Sequence, residues 1–204
     1  LAGTASSCQF VYMELLERRI KQSGTVIGTN ILKVDSFLNH QLDIALLCEL
    51  GRDVYHHYQN CAVNKILTIE ASGIAYACMT AQFFDCNVVF AKKKGAANQS
   101  ADVYTANVHS FTHGNDNVIA VDRRYLKAGD RVLIMDDFLA HGEAIRGLMA
   151  LVAQSGATLV GAAVAVEKGF QGGGDSLRQE GLEVYSQAIV DKMSESEIVF
   201  RPNK

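Results

Sequence analysis

Two adjacent carboxylates, Asp136 and Asp137, follow the apolar run Val132, Leu133, Ile134 and Met135, and lead into Phe138-Leu-Ala-His-Gly-Glu-Ala144. A buried strand that stops at two acids, then a small-residue loop with Gly142 opening a helix, carries two kinds of recognition. Backbone N–H groups at a helix N-terminus hold a phosphate where glycine leaves the approach open. Carboxylates accept hydrogen bonds from sugar hydroxyls. A phosphorylated ribose satisfies both halves. A lone Asp-Asp pair would more simply be a helix cap or a solvated acidic pair, but the apolar strand before it and the glycine turn after it favour the ligand reading. Two further loops stand out, Glu70-Ala-Ser-Gly-Ile74 and Glu167-Lys-Gly-Phe170.

The elements that must position these loops are legible from hydrophobic period. Helical spacing marks residues 14–22, 43–58 with Asp43 as cap, 73–83 and 143–154. Short apolar or alternating runs mark strands at 31–34, 65–70, 87–91, 131–135, 158–166, 182–185 and 198–200, and 103–111 with 118–121 reads as an antiparallel excursion around a turn at 113–117. Residues 92–102 show no period. Strands alternating with helices predict an α/β domain, a doubly wound, mostly parallel sheet with flanking helices. Ligands of such folds sit beyond the carboxyl ends of the strands, where the three loops fall.

Composition narrows the chemistry. Nineteen Lys and Arg against 22 Asp and Glu give a net charge of −3, which argues against nucleic acid as partner. No apolar run approaches the ~18 residues of a membrane span. Five cysteines without a Cys-x-x-Cys pair suit neither a disulfide framework nor zinc, and point to a reducing cytoplasm. Residues 1–12 lack a secretory pattern and read as a leader or expression remnant before a single domain over 13–204. The only proline is Pro202, so glycine, Asn and Asp must make the internal turns.

Other candidates have plainer explanations. His109 and His113 have the spacing of helical zinc ligands but lie in a strand-like segment, so they read as surface histidines. His56 and His57 suit the end of a helix. Gly172 to Gly174 has no following lysine as in a P-loop and reads as a flexible turn. Cys78 and Cys86 read as core thiols, and Ser72 lacks the frame of a hydrolase nucleophile.

The segment VLIMDDFLAHGEA resembles the 5-phosphoribosyl 1-diphosphate (PRPP) signature of the type I phosphoribosyltransferases. Together with KVDSFLNHQLD (33–43), LTIEASGIA (67–75) and VEKGFQ (166–171), it is similar to the bacterial xanthine phosphoribosyltransferases, in order from Met13 to about Phe200. The resemblance implies the type I fold with a small hood, a homodimer, and purine salvage: xanthine and PRPP give xanthosine 5′-monophosphate and diphosphate. It places PRPP on Ala140, His141, Gly142, Glu143 and Ala144, with Asp136 and Asp137 facing the ribose hydroxyls. Xanthine falls on Leu32, Asn39 and Lys168, with Phe170 stacking on the purine; the competing reading for Phe170 is a core residue, and for Lys168 an ion pair with neighbouring Glu167. The diphosphate falls on Ala71, Ser72 and Gly73. Lys92, Lys93 and Lys94 would open a mobile loop, and Mg2+ would bind mainly through PRPP oxygens.

The family's PRPP loop usually reads Ala-Asn-Gly-Gln-Ala; here His141 and Glu143 replace the two amides. Ala71 stands where serine is common, and Gly172-Gly-Gly174 replaces a proline-containing turn. Some purine-salvage relatives carry an aspartate general base at the position of Ala140, so no base is named here. Two alternatives remain: a PRPP-binding purine regulator, for which twelve residues before Met13 leave no room for a winged helix, and a salvage transferase for hypoxanthine, guanine, adenine or orotate.

Overall fold

The computed structural model describes residues 5–93, 102–110 and 115–202. The chain runs through α1 (Ala5–Ser23), β1 (Thr25–Ile27), β2 (Ile31–Lys33), α2 (Ile44–Tyr58), β3 (Lys65–Ile69), α3 (Gly73–Phe84), β4 (Asn87–Lys93), β5 (Val103–Ser110), β6 (Asn115–Asp122), β7 (Arg131–Leu139), α4 (Glu143–Ser155), β8 (Thr158–Lys168), α5 (Gly173–Gln179), β9 (Val184–Ser194) and β10 (Glu197–Phe200). An eight-stranded sheet has the order β10-β9-β8-β7-β3-β4-β6-β5. Its central strands β9, β8, β7, β3 and β4 are parallel, and β10, β6 and β5 are antiparallel additions. The small antiparallel pair β1–β2 stands apart as its own sheet.

Apolar strands need cover on both faces, and the core divides accordingly. On one face Leu46, Leu47, Leu50, Val54, Tyr76 and Ala77 of α2 and α3 pack with Leu133, Met135 and Ala163 of the sheet. On the other Ile145, Leu148, Leu151 and Leu177 of α4 and α5 cover Leu67, Ile134 and Val164. Asp43 caps α2 by accepting from Leu46 N at 3.1 Å, as its position predicts. The doubly wound architecture and the antiparallel β5–β6 excursion are as expected.

Several strands outrun their apolar patterns. β7 continues through both aspartates to Leu139, because Asp136, Phe138 and Leu139 keep pairing with Val164, Val166 and Glu167 of β8. β4 reaches Lys93, since Lys92 and Lys93 pair with Ala120 and Ile119 of β6. Lys92 and Lys93 are therefore the last residues of a strand; Lys94, expected with them to open a mobile loop, and His113 lie outside the described residues. β9 likewise runs on to Ser194, and α1 begins at Ala5, upstream of its expected start.

Gly172 to Gly174 is not a free turn. Gly172, at φ +75°, opens α5, and side chains at the next two positions would strike Ala140 O and the Glu167 carboxylate. Cys78 is exposed, and Cys86 is half-buried against the core, where burial pushes its thiol up; neither is a fully buried thiol. His57 stacks on Tyr185 with ring centroids 4.1 Å apart and pairs with Glu183 at 2.7 Å.

Candidate active site

The acid pair sits inside the end of β7. Asp136 and Asp137 are only 6% and 5% exposed, so the competing reading of a solvated acidic pair falls away. Neither caps a helix, since that position at α4 is Gly142. Asp137 accepts from Ser72 Oγ at 2.8 Å and from Asn39 Nδ2 at 3.2 Å. Asp136 accepts from the Asp137 amide at 3.0 Å. Burial, reinforced by the charge of Asp137, holds the Asp136 carboxyl well above the usual carboxylate range. Gly73 begins α3 beside this pair: a Cβ there would strike the Thr68 hydroxyl and stand 3.0 Å from Asp136 Oδ1, which is why the turn after β3 needs glycine. Ala71, Ser72 and Gly73 thus bring the first amides of a helix against the acids.

The second half is the turn from Ala140 to Ala144. Gly142 takes φ +90°, which glycine alone adopts freely, and α4 starts at Glu143. The first intrahelical bond is Arg146 N to Gly142 O at 2.9 Å, so the amides of Glu143, Ala144 and Ile145 precede it and suit an anion. The Glu143 carboxylate stands 3.5 Å from Arg146 Nη1, which offsets its charge. Arg146 also donates to His141 O at 3.0 Å, tying the loop to its own helix.

The third part is the end of β8. Lys168 is its last residue, and its ammonium donates to Asn30 O at 3.0 Å in the β1–β2 connection and lies 5.6 Å from the centre of the Phe138 ring. Burial lowers its pKa. Neighbouring Glu167 is not its partner: that carboxylate is fully buried and held by Arg178. Phe170, in a single turn over Gly169–Gln171, is 37% exposed, which removes the core reading. Leu32 of β2 is buried in the core against which Phe138 packs. Lys93 N donates to Glu70 Oε1 at 2.7 Å, and Glu70 N to Ala91 O at 3.1 Å, so the end of β4 borders the Ala71–Gly73 turn. Lys92 turns its ammonium over Phe90, at 5.4 Å.

Three sequence-distant segments therefore meet at Asp137. A model of the phosphoribosyl transferase domain matches residues 33–178, spanning all the residues placed at the site except Asn30 and Leu32. The chain belongs to the phosphoribosyltransferase family. A protein of Alkaliphilus metalliredigens named xanthine phosphoribosyltransferase is 51% identical over 192 residues, 94% of this chain and 95% of that one. Another of that name from Bifidobacterium longum is 52% identical over 192 residues, 93% of this chain and all of its own. Among solved structures, the adenine phosphoribosyltransferase of Rhodothermus marinus superposes with a TM-score of 0.70 at 22% identity, covering 88% of this chain and 99% of that one. The Giardia lamblia enzyme complexed with 9-deazaadenine gives 0.72 at 20%, covering 85% and 96%. At such identities the likeness is one of fold.

For a phosphoribosyltransferase, the site holds residues the sequence reading passed over. Thr68 Oγ1 and Gln171 Oε1 are buried without a hydrogen-bond partner among the described residues, as is Oδ1 of Asn39, which the resemblance had already named. Thr68 closes the space behind Gly73, and Arg146 fastens the Ala140–Ala144 turn. Thr68 sits mid-strand in KILTIE, where a polar residue among buried neighbours was the available signal.

Proposed function

We propose that this phosphoribosyltransferase converts xanthine and PRPP to xanthosine 5′-monophosphate and diphosphate, a purine-salvage reaction. One observation carries the reading: Asp137 is hydrogen-bonded to both Asn39 and Ser72, so the base segment, the diphosphate turn and the ribose carboxylates converge on one point. Relatives named for xanthine transfer, about half identical over nearly the whole chain, support the choice of base.

In this reading the bond from the ribose anomeric carbon to diphosphate oxygen breaks with its electron pair leaving on the diphosphate, a bond from that carbon to a purine nitrogen forms, and the proton of that nitrogen is released to solvent. Catalysis rests on placing the two reactants and stabilising the departing negative charge. The Ala71–Gly73 turn offers backbone amides to the diphosphate, and the Gly142 turn offers those at the start of α4 to the 5′-phosphate. Asp136 and Asp137 accept from the ribose diol. Lys168 donates to an oxygen of the base, which an exocyclic amino group cannot accept, and Phe170 covers the ring.

The donor set fits a hard cation carried in on the substrate. Asp137 offers carboxylate oxygens that accept from the neutral donors Asn39 and Ser72, and no three His, Cys or acidic side chains converge among the described residues. Mg2+ held mainly by PRPP oxygens would neutralise the diphosphate. A homodimer in the cytoplasm completes the proposal, supported by the family resemblance and checked by sedimentation.

Nucleotide formation from PRPP with xanthine, guanine, hypoxanthine, adenine and orotate tests the assignment. Xanthine is expected to give the highest kcat/KM. A preference for adenine would overturn it.

A further inference from the structure

Around α5 five charged side chains outside the proposed ligand set form one connected lattice. Arg178 places Nη1 3.0 Å from Glu167 Oε1 and Nη2 2.7 Å from Oε2, a two-pronged pair that Ser186 supports by donating to Glu167. Arg178 also reaches Asp175 Oδ1 at 3.4 Å. Arg201 bonds both oxygens of the same Asp175, at 2.8 and 3.1 Å, and donates from Nε to Asp191 Oδ1 at 2.9 Å.

This lattice grips the chain on both sides of Lys168. Glu167 and Lys168 are successive residues of one strand and point to opposite faces, so holding the Glu167 carboxylate fixes how Lys168 is turned. Immediately after it, the Gly169 backbone lies against the other clamp: a Cβ there would come 2.6 Å from Asp191 Oδ1 and 2.9 Å from Arg201 Nη2. Gly172 N returns to Gly169 O at 3.0 Å, closing the turn that carries Phe170. The same helix reaches the other half of the site. Gly173 N donates to Ala140 O at 3.2 Å, and Arg146, which holds His141 O, also holds Ser176 Oγ at 2.9 Å.

We propose that the lattice Glu167–Arg178–Asp175–Arg201–Asp191 is a positioning device that sets Lys168 and Phe170 against the Ala140–Ala144 turn through α5, with Arg201 its outer positioning residue. The inference rests on the phosphoribosyl-transfer reading of those two segments. Arg201 lies toward the rim, where ion pairs add little to global stability, so its removal acts on local geometry. Small misplacement of a reactant is expensive in rate.

The test uses Arg201→Gln, Arg201→Lys and Asp175→Asn in the full chain, with steady-state kinetics, calorimetric titration of PRPP alone, and thermal melting. Arg201→Gln is expected to raise the KM for the base about tenfold while PRPP affinity stays within about twofold and the melting temperature holds. Arg201→Lys recovers most of the loss. Asp175→Asn reproduces it, and the double variant adds little, because both remove one contact. Wild-type base KM rises with salt, whereas that of Arg201→Gln does not. An unchanged base KM in Arg201→Gln overturns the inference, as does a parallel loss of base affinity, PRPP affinity and melting temperature. If the wild type turns over a base other than xanthine, the substrate assignment falls alone, and the lattice is judged with that base in the same variants.

Discussion

Neighbouring strands β7 and β8 both end in buried carboxylates, and the fold treats them in opposite ways. On β8, Glu167 is wholly buried and meets both prongs of Arg178 plus the Ser186 hydroxyl. On β7, Asp136 and Asp137 are nearly as deep, yet they accept from an amide side chain, a hydroxyl and a backbone N–H. A buried charge is tolerated when a cation and further donors satisfy it, and is otherwise pushed toward its neutral form. Glu167 is thus spent on structure, while the aspartates are held short of donors, as a site awaiting a hydroxyl-bearing substrate should be.

Breaking the satisfied side should cost stability first. Arg178→Ala would strand the Glu167 charge in the core and is expected to lower unfolding free energy by about 3–5 kcal/mol, read from denaturant titration. A loss under about 1 kcal/mol would mean that Glu167 is not the structural member of the pair.

Breaking the other side should cost activity instead. Asp136→Asn with Asp137→Asn is expected to lower kcat/KM by about a hundredfold or more, with the melting temperature kept or raised. The rise follows from Asp136: its folded carboxyl prefers the proton, so at neutral pH the ionised form is a burden that asparagine lacks. Unchanged kinetics in this variant would remove the ribose assignment.

Lys168 ends β8 itself, next to a Glu167 that Arg178 holds. Lys168→Met should cost about 1.5 to 3 kcal/mol in xanthine efficiency, roughly tenfold to more than a hundredfold, and should narrow the margin over adenine. Undiminished efficiency would show that the ammonium does not read the base. Phe170→Ala sharpens the same point at smaller scale. Its half-exposed ring should contribute about 0.5–1.5 kcal/mol by stacking, raising the base KM with little change in melting temperature. A drop in melting temperature without a kinetic change would return it to packing.

Acid titration gives the smallest signal, and the signs differ. Asp175 is held below the usual carboxylate range, first by its hydrogen bond to Arg201, so its contribution is present above the unfolded value near pH 4 and fades as pH falls through the folded value. Asp136 is held above the range, so its burden grows as pH rises past that unfolded value and is relieved on acidification. Unfolding free energies from about pH 3 to 6 should therefore lose acid sensitivity in Asp175→Asn and steepen in Asp136→Asn. Parallel curves for the two variants would contradict the contrast.

Hydrophobic period and one motif make much of this molecule legible. The alternation of helices and strands, the Asp43 cap, the Gly142 helix start and the order of the site segments depend on contacts within a few residues, which a sequence displays directly. Strand ends were harder, because Asp136 and Asp137 interrupt the apolar pattern while the ladder to β8 carries β7 past them. Partnerships were hardest. Glu167 stands beside Lys168 in the chain, yet strand geometry turns them apart, and Arg178, eleven residues on, takes the carboxylate. Asp137 meets Ser72 and Asn39 across 65 and 98 residues. Residue types decided that charges would stand at these strand ends; only the packing of α3, α5 and the segment of Asn39 decided how deeply they sank and which were neutralised, because pairing depends on approach within a few ångströms.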